Sequence, residues 1–325
     1  MIDFRYHVVS LVSVFLALAV GIVLGAGPLK DQIGNTLSDQ VTSLARQKAS
    51  LRSDLTAADA AVTHRDQFIT TVSPALSAQQ LPGRSVVLVR LPGVDNGSVD
   101  AMTGALKDAG ATVSGEVDVK DSWTAGDPNA LTPLAAELQN SLPGGSSLTG
   151  DPDAVLASLL ARAVVTPEPA ATAAEDAAAQ AVLDGLKSAD LIDTKGDFTT
   201  RATEAIVLAP AVEVQSPGAQ SSATASAQRA TSTSLDIATA LDTGSAGSVV
   251  VGPASAAGDG GLIAVIRDDD KVAQQVSTVD TGGTSMGPLT TVLALREQLH
   301  GASGSYGFAN GAKQPLPTLN QAGQS

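Results

Sequence analysis

An uninterrupted apolar run near the N-terminus limits what this chain can be more than any other feature. Residues 8–27 read VVSLVSVFLALAVGIVLGAG and include no charged side chain. At about 1.5 Å per residue, a helix of this length spans roughly 30 Å, the thickness of a bilayer's hydrocarbon core. Arg5 and His7 precede the run, and this weak positive-inside bias predicts a cytoplasmic N-terminus. We therefore predict a cytoplasmic stub (1–7), a transmembrane helix (8–29) and an extracytoplasmic remainder.

Two other interpretations of this run stay open. A cleaved signal peptide would use Gly25 and Gly27 as its small residues, but the run is long for such a segment and its leading region is barely basic. A buried core helix is the second alternative. It is disfavoured because the segment is apolar on every face and lies at the end of the chain.

The segment 31–73 is polar but carries a seven-residue apolar repeat. With Leu37 at a d position, the following d positions are 44, 51, 58, 65 and 72, and the a positions are 41, 48, 55, 62 and 69. Such a repeat predicts a left-handed coiled coil, and β-branched a residues with Leu at d favour a parallel homodimer. Lys48 would be a polar break in the seam. The expected dimer seam comprises Leu37, Val41, Leu44, Leu51, Leu55, Val62 and Ile69.

One amphipathic helix folded back on the C-terminal domain would also account for this pattern. The length of the repeat favours the coiled coil. Pro74 is expected to end the helix, because proline disfavours helical geometry in the residue before it.

Residues 81–300 alternate short apolar runs with helical patterns. Such alternation predicts an extracytoplasmic α/β domain: an open, mainly parallel, doubly wound sheet with helices on both faces. Residues 166–175 and 215–233 are either loops or helices of low contrast, and 301–325 is expected to be a disordered tail. The predicted strands are 85–91, 112–119, 205–209, 248–252 and 276–280, and the predicted helices are 99–109, 153–163, 171–187, 261–267 and 288–299.

Composition excludes several classes of function. The formal net charge is −14 and no run of Lys or Arg occurs, so nucleic acid is not expected as a partner. The chain has no cysteine, which excludes disulfides, thiolate metal sites and cysteine nucleophiles. Aromatic residues make up only 2%, so the core must be aliphatic, with Trp123 as its single indole.

A ligand loop is predicted at the C-terminal ends of the strands, where open α/β sheets bind ligands. Asp95 follows the first strand and Asp280 the last, and Asp280 leads into a glycine-rich loop that contains Gly282 and Gly283. This loop resembles a phosphate cradle in outline, but it has neither the Walker lysine nor the G-x-G-x-x-G pattern. A simple turn is the alternative reading of the same residues.

No catalytic or metal-binding motif is recognisable in the sequence. His7, His64 and His300 fall near the membrane, on the stalk and near the tail, so none pairs with a Ser and an Asp. Met102 and Met286 are isolated and read as core residues rather than soft copper ligands. We therefore expect a protein that is not an enzyme and has no cofactor and no metal site.

The N-terminal string F-R-Y-H-x-V-S-L, followed by F-L-A-L-x-x-G-I-x-L-G, resembles the start of the actinobacterial MctB family, the copper transport outer membrane proteins. The V-S-T-V-D strand and the A-L-R-E-Q-L-H-G ending, with Tyr306 and Gly307 beyond it, are also similar to that family. The resemblance runs from end to end. It implies a role in copper homeostasis or copper transport across the cell envelope, with location in the outer membrane or cell wall.

Relatives of this family also resemble a membrane-anchored septal protein that controls cell-wall hydrolysis together with a partner. The alternative function is therefore a dimeric coiled-coil scaffold that recruits or regulates such envelope or cell-division proteins during cell separation. The residues supply neither a pore nor a copper site, which favours the scaffold, whereas the resemblance favours copper.

Overall fold

The computed structural model describes residues 4–26, 29–142, 144–168, 176–196, 198–212 and 221–318. By its internal contacts the chain divides into two units, Met1–Arg65 and Asp66–Ser325. The second unit is called the head below.

The first unit begins with helix α1 (Phe4–Ala26), in which Phe4–Gly25 has a mean hydropathy of 2.7 and is not buried within the protein. This helix is long and apolar enough to cross a membrane. It overlaps the predicted span 8–29 and begins four residues before it.

Helix α2 (Leu29–Ser77) starts in the first unit and continues into the head. The seam positions from Leu37 to Leu55 expose 59–69% of their surface, and Val62 exposes 44%. Ile69, which belongs to the head, is half-buried. In a single copy of the chain most of the predicted seam residues, which form an apolar stripe on α2, are therefore exposed, and the coiled coil stays a prediction.

Pro74 does not end α2, contrary to expectation, since the helix runs on to Ser77. Proline has no N–H to donate to the carbonyl of Thr70, but so near the end of a helix this removes one bond only. Two hydroxyls also donate back along the last turns, Ser73 to the Ile69 carbonyl at 2.7 Å and Ser77 to the Ser73 carbonyl at 2.8 Å.

The head contains the sheet and the remaining described helices. The strands are β1 (Ser85–Arg90), β2 (Thr112–Val119), β3 (Ile192–Gly196), β4 (Glu204–Leu208), β5 (Gly247–Val251), β6 (Ser277–Val279) and β7 (Ser305–Tyr306). The helices are α3 (Asn96–Asp108), α4 (Asp121–Thr124), α5 (Pro128–Gln139), α6 (Pro152–Val164), α7 (Ala177–Ser188), α8 (Ser221–Gly244), α9 (Leu262–Asp268), α10 (Asp270–Ala273) and α11 (Gly287–Gln298).

The seven strands form one sheet in the order β3-β2-β1-β4-β5-β6-β7. Every neighbouring pair is parallel except β2 and β3, which are antiparallel. The prediction of an α/β fold with an open, mainly parallel sheet is confirmed.

Successive strand residues point to opposite faces, and each face is covered by helices. Val87 and Val89 of β1 join a large apolar cluster with α5 to α9 and the fully buried Trp123. Val86 and Leu88 join a second cluster, with α3 and α11. This arrangement explains why the strands read as continuous apolar runs rather than alternating ones.

Helix α8 occupies 221–233 of the stretch that the sequence left open as a loop or a helix of low contrast. Ser, Ala and Thr conceal its period, and it packs its small residues against α6. Helices α4, α5 and α10 were not predicted, and neither was strand β3. Strand β3 is a polar edge strand with only Ile192 buried, so it carries no apolar run.

The segment predicted as a disordered tail does not follow that prediction throughout. Ser305–Tyr306 is strand β7, at the edge of the sheet beside β6. The apolar period is missing there because the pairing is only two residues long and polar contacts hold the segment. Residues 319–325 lie outside the described part of the chain.

Candidate functional site

The strand order reverses between β1 and β4. From β1 the chain continues to β2 on one side, whereas β4 leads to β5, β6 and β7 on the other. At such a reversal the connecting loops diverge, and a crevice opens at the C-terminal ends of the two strands.

A cavity of about 760 Å³ occupies this crevice. Its walls are the residues that follow β1, β4, β5 and β6, together with one face of α3, the start of α11 and the last turns of α2. We call it the switch-point cavity. Its size lies within the range of small-molecule sites in proteins.

Asp95 and the glycines of the predicted ligand loop all line the switch-point cavity. Asp95 caps α3, accepting hydrogen bonds from Ser98 N at 2.9 Å and Ser98 Oγ at 2.8 Å. These hydrogen bonds hold the pKa of the Asp95 carboxyl below its usual value. The carboxylate is exposed at the rim of the cavity.

Gly282 is required by close packing. A Cβ at this position would lie 2.9 Å from the backbone of Gly252 and from Val251, so a larger residue would push the ends of β5 and β6 apart. Its N–H donates to the Gly252 carbonyl at 2.8 Å. That N–H is therefore already committed within the protein and is not free to hold a phosphate.

Asp280 is not among the described residues that line the cavity. Its buried carboxylate pairs with Arg267 at 2.9 Å and accepts from the N–H groups of Phe308, at 2.9 Å, and Ala309, at 3.1 Å. Arg267 also donates to the carbonyls of Tyr306 and Asn310. Asp280 and Arg267 thus hold the backbone of residues 306–310 in place after β7, and we call this set of contacts the Asp280 tie. The structure does not bring Asp280 together with Asp95.

The C-terminal motifs that carried the family resemblance meet in this region. Glu297 of α11 accepts hydrogen bonds from the Tyr306 hydroxyl and from Thr318 N, the latter at 2.9 Å. Burial would raise the pKa of Glu297, but the hydrogen bonds from Thr318 and Tyr306 outweigh it and the pKa is lowered. Burial, and then Glu297, raise the pKa of Tyr306.

An ion-pair network beside the cavity was not predicted. Arg90, at the end of β1, donates two hydrogen bonds of 2.7 Å to the carboxylate of Asp118 on β2. A third goes to the Asn96 side chain at 2.5 Å, which fixes the first turn of α3. The only sequence signal was polar residues at the ends of two predicted strands.

The described part of the chain has no group of three or more His, Asp or Glu that could hold a metal. Met102 is buried and lines the cavity, whereas Met286 is half-buried and does not. Nδ1 of His300 lies 2.7 Å from the Arg296 carbonyl, and His64 is exposed on α2.

Comparison with known proteins identifies relatives along almost the whole chain. The family model described as "Copper transport outer membrane protein, MctB" matches residues 1–317. The proteins named copper transporter MctB of Mycobacterium tuberculosis and Mycobacterium bovis are each 31% identical over 325 residues, covering 96% of this chain and 98% of theirs. The Mycobacterium leprae protein of that name is 30% identical over 322 residues, with the same coverage. The resemblance seen in the N-terminal and C-terminal motifs is thereby confirmed, and the chain belongs to the MctB family.

Proposed function

We propose that this protein is a single-span, non-enzymatic envelope protein that acts in copper homeostasis. The observation that carries the proposal is the match of residues 1–317 to a family whose description names copper transport. Helix α1 serves as an uncleaved membrane anchor with its N-terminus in the cytoplasm. The head then lies outside the cytoplasmic membrane.

The proposed anchor is supported by the character of α1. Its apolar side chains are exposed on all sides, Leu16 by 63% and Leu24 by 73%. Exposed apolar surface of this kind is unfavourable in water and is stabilised in a bilayer.

The copper role that we propose does not depend on a multidentate soft site within one described chain. Cysteine is missing from the sequence, and histidine and methionine number three each. Cu(I) prefers thiolate, thioether and imidazole ligands, and Met102 is the one such side chain that lines the described cavity. We infer that the protein acts on copper through other molecules or through several copies of the chain.

Self-association is the second part of the proposal. One apolar helix cannot enclose a pore, so any passage through the membrane would need several copies. The exposed stripe of α2 from Leu37 to Val62 supports a parallel homodimer, since each Leu buried at a seam contributes roughly 1.5–3 kcal/mol.

The test is deletion of the gene, followed by measurement of growth in rising copper and of cell-chain length at normal copper. We expect copper sensitivity that the intact gene restores. Normal copper tolerance, with or without chained cells, would contradict the proposal. A gene carrying Met102→Leu, Met286→Leu, His64→Gln and His300→Gln is expected to restore tolerance as well, which would exclude direct ligation by these side chains.

A further inference from the structure

We propose that the switch-point cavity is a binding site for bulky organic cations, ligands that combine an apolar body with a shielded positive charge. This inference concerns the head alone and does not depend on the copper role. It is carried by the walls of the cavity, its hydrogen-bonding groups and the charge at its rim.

The walls are apolar and built of small side chains. Ala101 and Met102 of α3 face the cavity, as do Leu208, Pro253 and Leu289 from the strand ends and α11. Because few large side chains intrude, the volume of about 760 Å³ can admit a rounded apolar body. Burying such a body releases roughly 25 cal/mol per Å² of apolar surface.

The hydroxyl groups in these walls offer few donors to an anion. Ser98 donates to Asp95 at 2.8 Å, Ser285 to Asp66 at 2.8 Å and Thr284 to the Thr281 carbonyl at 2.8 Å.

The hydroxyls of Ser73 and Ser77, in the last turns of α2, likewise donate to helix carbonyls. By contrast, Pro74 supplies no N–H to the Thr70 carbonyl, and Thr70 and Pro74 both line the cavity. The five hydroxyls of Ser73, Ser77, Ser98, Thr284 and Ser285 are therefore committed as donors within the protein.

The charge of the lining has one sign. Asp95 and Asp108 are the only ionisable residues among the described lining residues, which include no Lys, Arg or His. Both carboxylates are exposed at the rim, where they attract cations and repel anions with a strength that salt reduces. An apolar interior beneath an acidic rim favours an organic cation over an anion of the same shape.

The experiment uses two ions of nearly identical shape, tetraphenylphosphonium and tetraphenylborate. Full-length protein is labelled with ¹³C-methyl methionine and kept in lipid nanodiscs, with free ligand measured by dialysis. Met102 lines the cavity, and Met286 is an internal reference outside it. Phenyl rings close to Met102 should shift its methyl resonance in a saturable way while the Met286 resonance stays in place.

We expect the cation to bind more tightly than the anion at equal free concentration. Asp95→Asn combined with Asp108→Asn should weaken cation binding by about threefold to tenfold at low salt. Asparagine still caps α3 at position 95, so the head should stay folded.

Ala101→Phe places a bulky ring in the cavity next to Met102 and should weaken cation binding and reduce the Met102 shift, without lowering the melting temperature. Three results would each overturn the proposal: no saturable shift at Met102, equal or tighter binding of the anion, or a cation affinity that Ala101→Phe leaves unchanged. If the variant with both Asp95→Asn and Asp108→Asn bound the cation as tightly as the parent while all other results were as expected, the two carboxylates would not set a preference for cations. The proposed ligand class would then be wrong.

Discussion

Arg267 and Asp280 form an ion pair of 2.9 Å in which their side chains expose only 3% and 1% of their surface. Two charges are rarely taken so completely out of water unless further hydrogen bonds compensate for lost hydration. Here the backbone from Tyr306 to Asn310 supplies them, accepting from the guanidinium and donating to the carboxylate. The tie therefore determines where the chain runs after β7.

Gly307 is the position most sensitive to substitution in this tie. It has a φ of +128°, and an added Cβ would overlap the carboxylate of Asp280. Gly301 is the matched control, because it also has a positive φ, +77°, but nothing lies within 4 Å of its added Cβ. Gly301→Ala should cost about 1–2 kcal/mol for its backbone alone.

Gly307→Ala should cost about 1–3 kcal/mol more than Gly301→Ala, because the buried carboxylate must move as well. Denaturant unfolding of the two variants of the full-length protein, followed by Trp123 fluorescence, measures the difference. Equal destabilisation would show that the Asp280 tie contributes little to the head.

The head should lose stability as pH rises through 6. Burial, and then Asp153 and Asp151, raise the pKa of Asp236 from 3.8 to about 6. Because its folded pKa lies above its unfolded value, the contribution of protonated Asp236 is complete below pH 3.8 and is lost as pH rises through about 6.

Replacing Asp236 by Asn removes this titration. The melting temperature of the parent should therefore fall more between pH 5 and pH 7 than that of Asp236→Asn. If Asp236→Asn showed the same slope as the parent, Asp236 would not titrate in this interval.

The proposed dimer seam can be probed with single cysteines, because the parent chain has none. Leu44→Cys lies in the seam, and Ala49→Cys lies outside it on the same helix. Two copies in a parallel coiled coil bring the position-44 sulfurs within disulfide range. Oxidation in membranes should therefore crosslink Leu44→Cys efficiently and Ala49→Cys little.

Adding Leu51→Asn and Leu55→Asn to the Leu44→Cys variant should weaken the crosslink, whereas adding Thr56→Asn should not. Comparable crosslinking at positions 44 and 49 would argue against the heptad seam. In that case another surface would have to mediate any self-association.

The anchor should be uncleaved and oriented with its N-terminus inside. Alkaline phosphatase fused after Ser325 should be active, and the same fusion lacking residues 1–27 should not be, because only an exported enzyme matures. Sequencing the N-terminus of the membrane-bound chain should give residues 1 or 2. An N-terminus at Pro28 would identify a signal peptide instead.

The sequence was sufficient to predict the parallel strands at the centre of the sheet but not the strands at its edges. Runs such as 85–91 and 248–252 are apolar because those strands are buried on both faces, and this made them visible. Strands β3 and β7 lie at the edges, where β3 is polar with only Ile192 buried and β7 is only two residues long. Nothing in their composition separates them from loops.

The candidate site shows the same difference between local and distant contacts. Strand-end reasoning grouped Asp95 with Gly282 and Gly283 from the expected topology, and in the structure these three residues line one cavity. It could not show that Asp280 lies outside the cavity. The environment of Asp280 depends on Arg267, 13 residues earlier, and on an N–H group 28 residues later. Partners so far apart leave no periodic signal in one sequence.

The position of these partners also fixes an order of events when the chain is made. Synthesis proceeds from the N-terminus, and segments acquire structure as they emerge. Asp280 must wait for Phe308 and Ala309 before its carboxylate can be enclosed. The edge of the sheet at β6 is therefore completed last. In a chain truncated after position 300 the Asp280 carboxylate would stay exposed to water, whereas in the complete head it is buried.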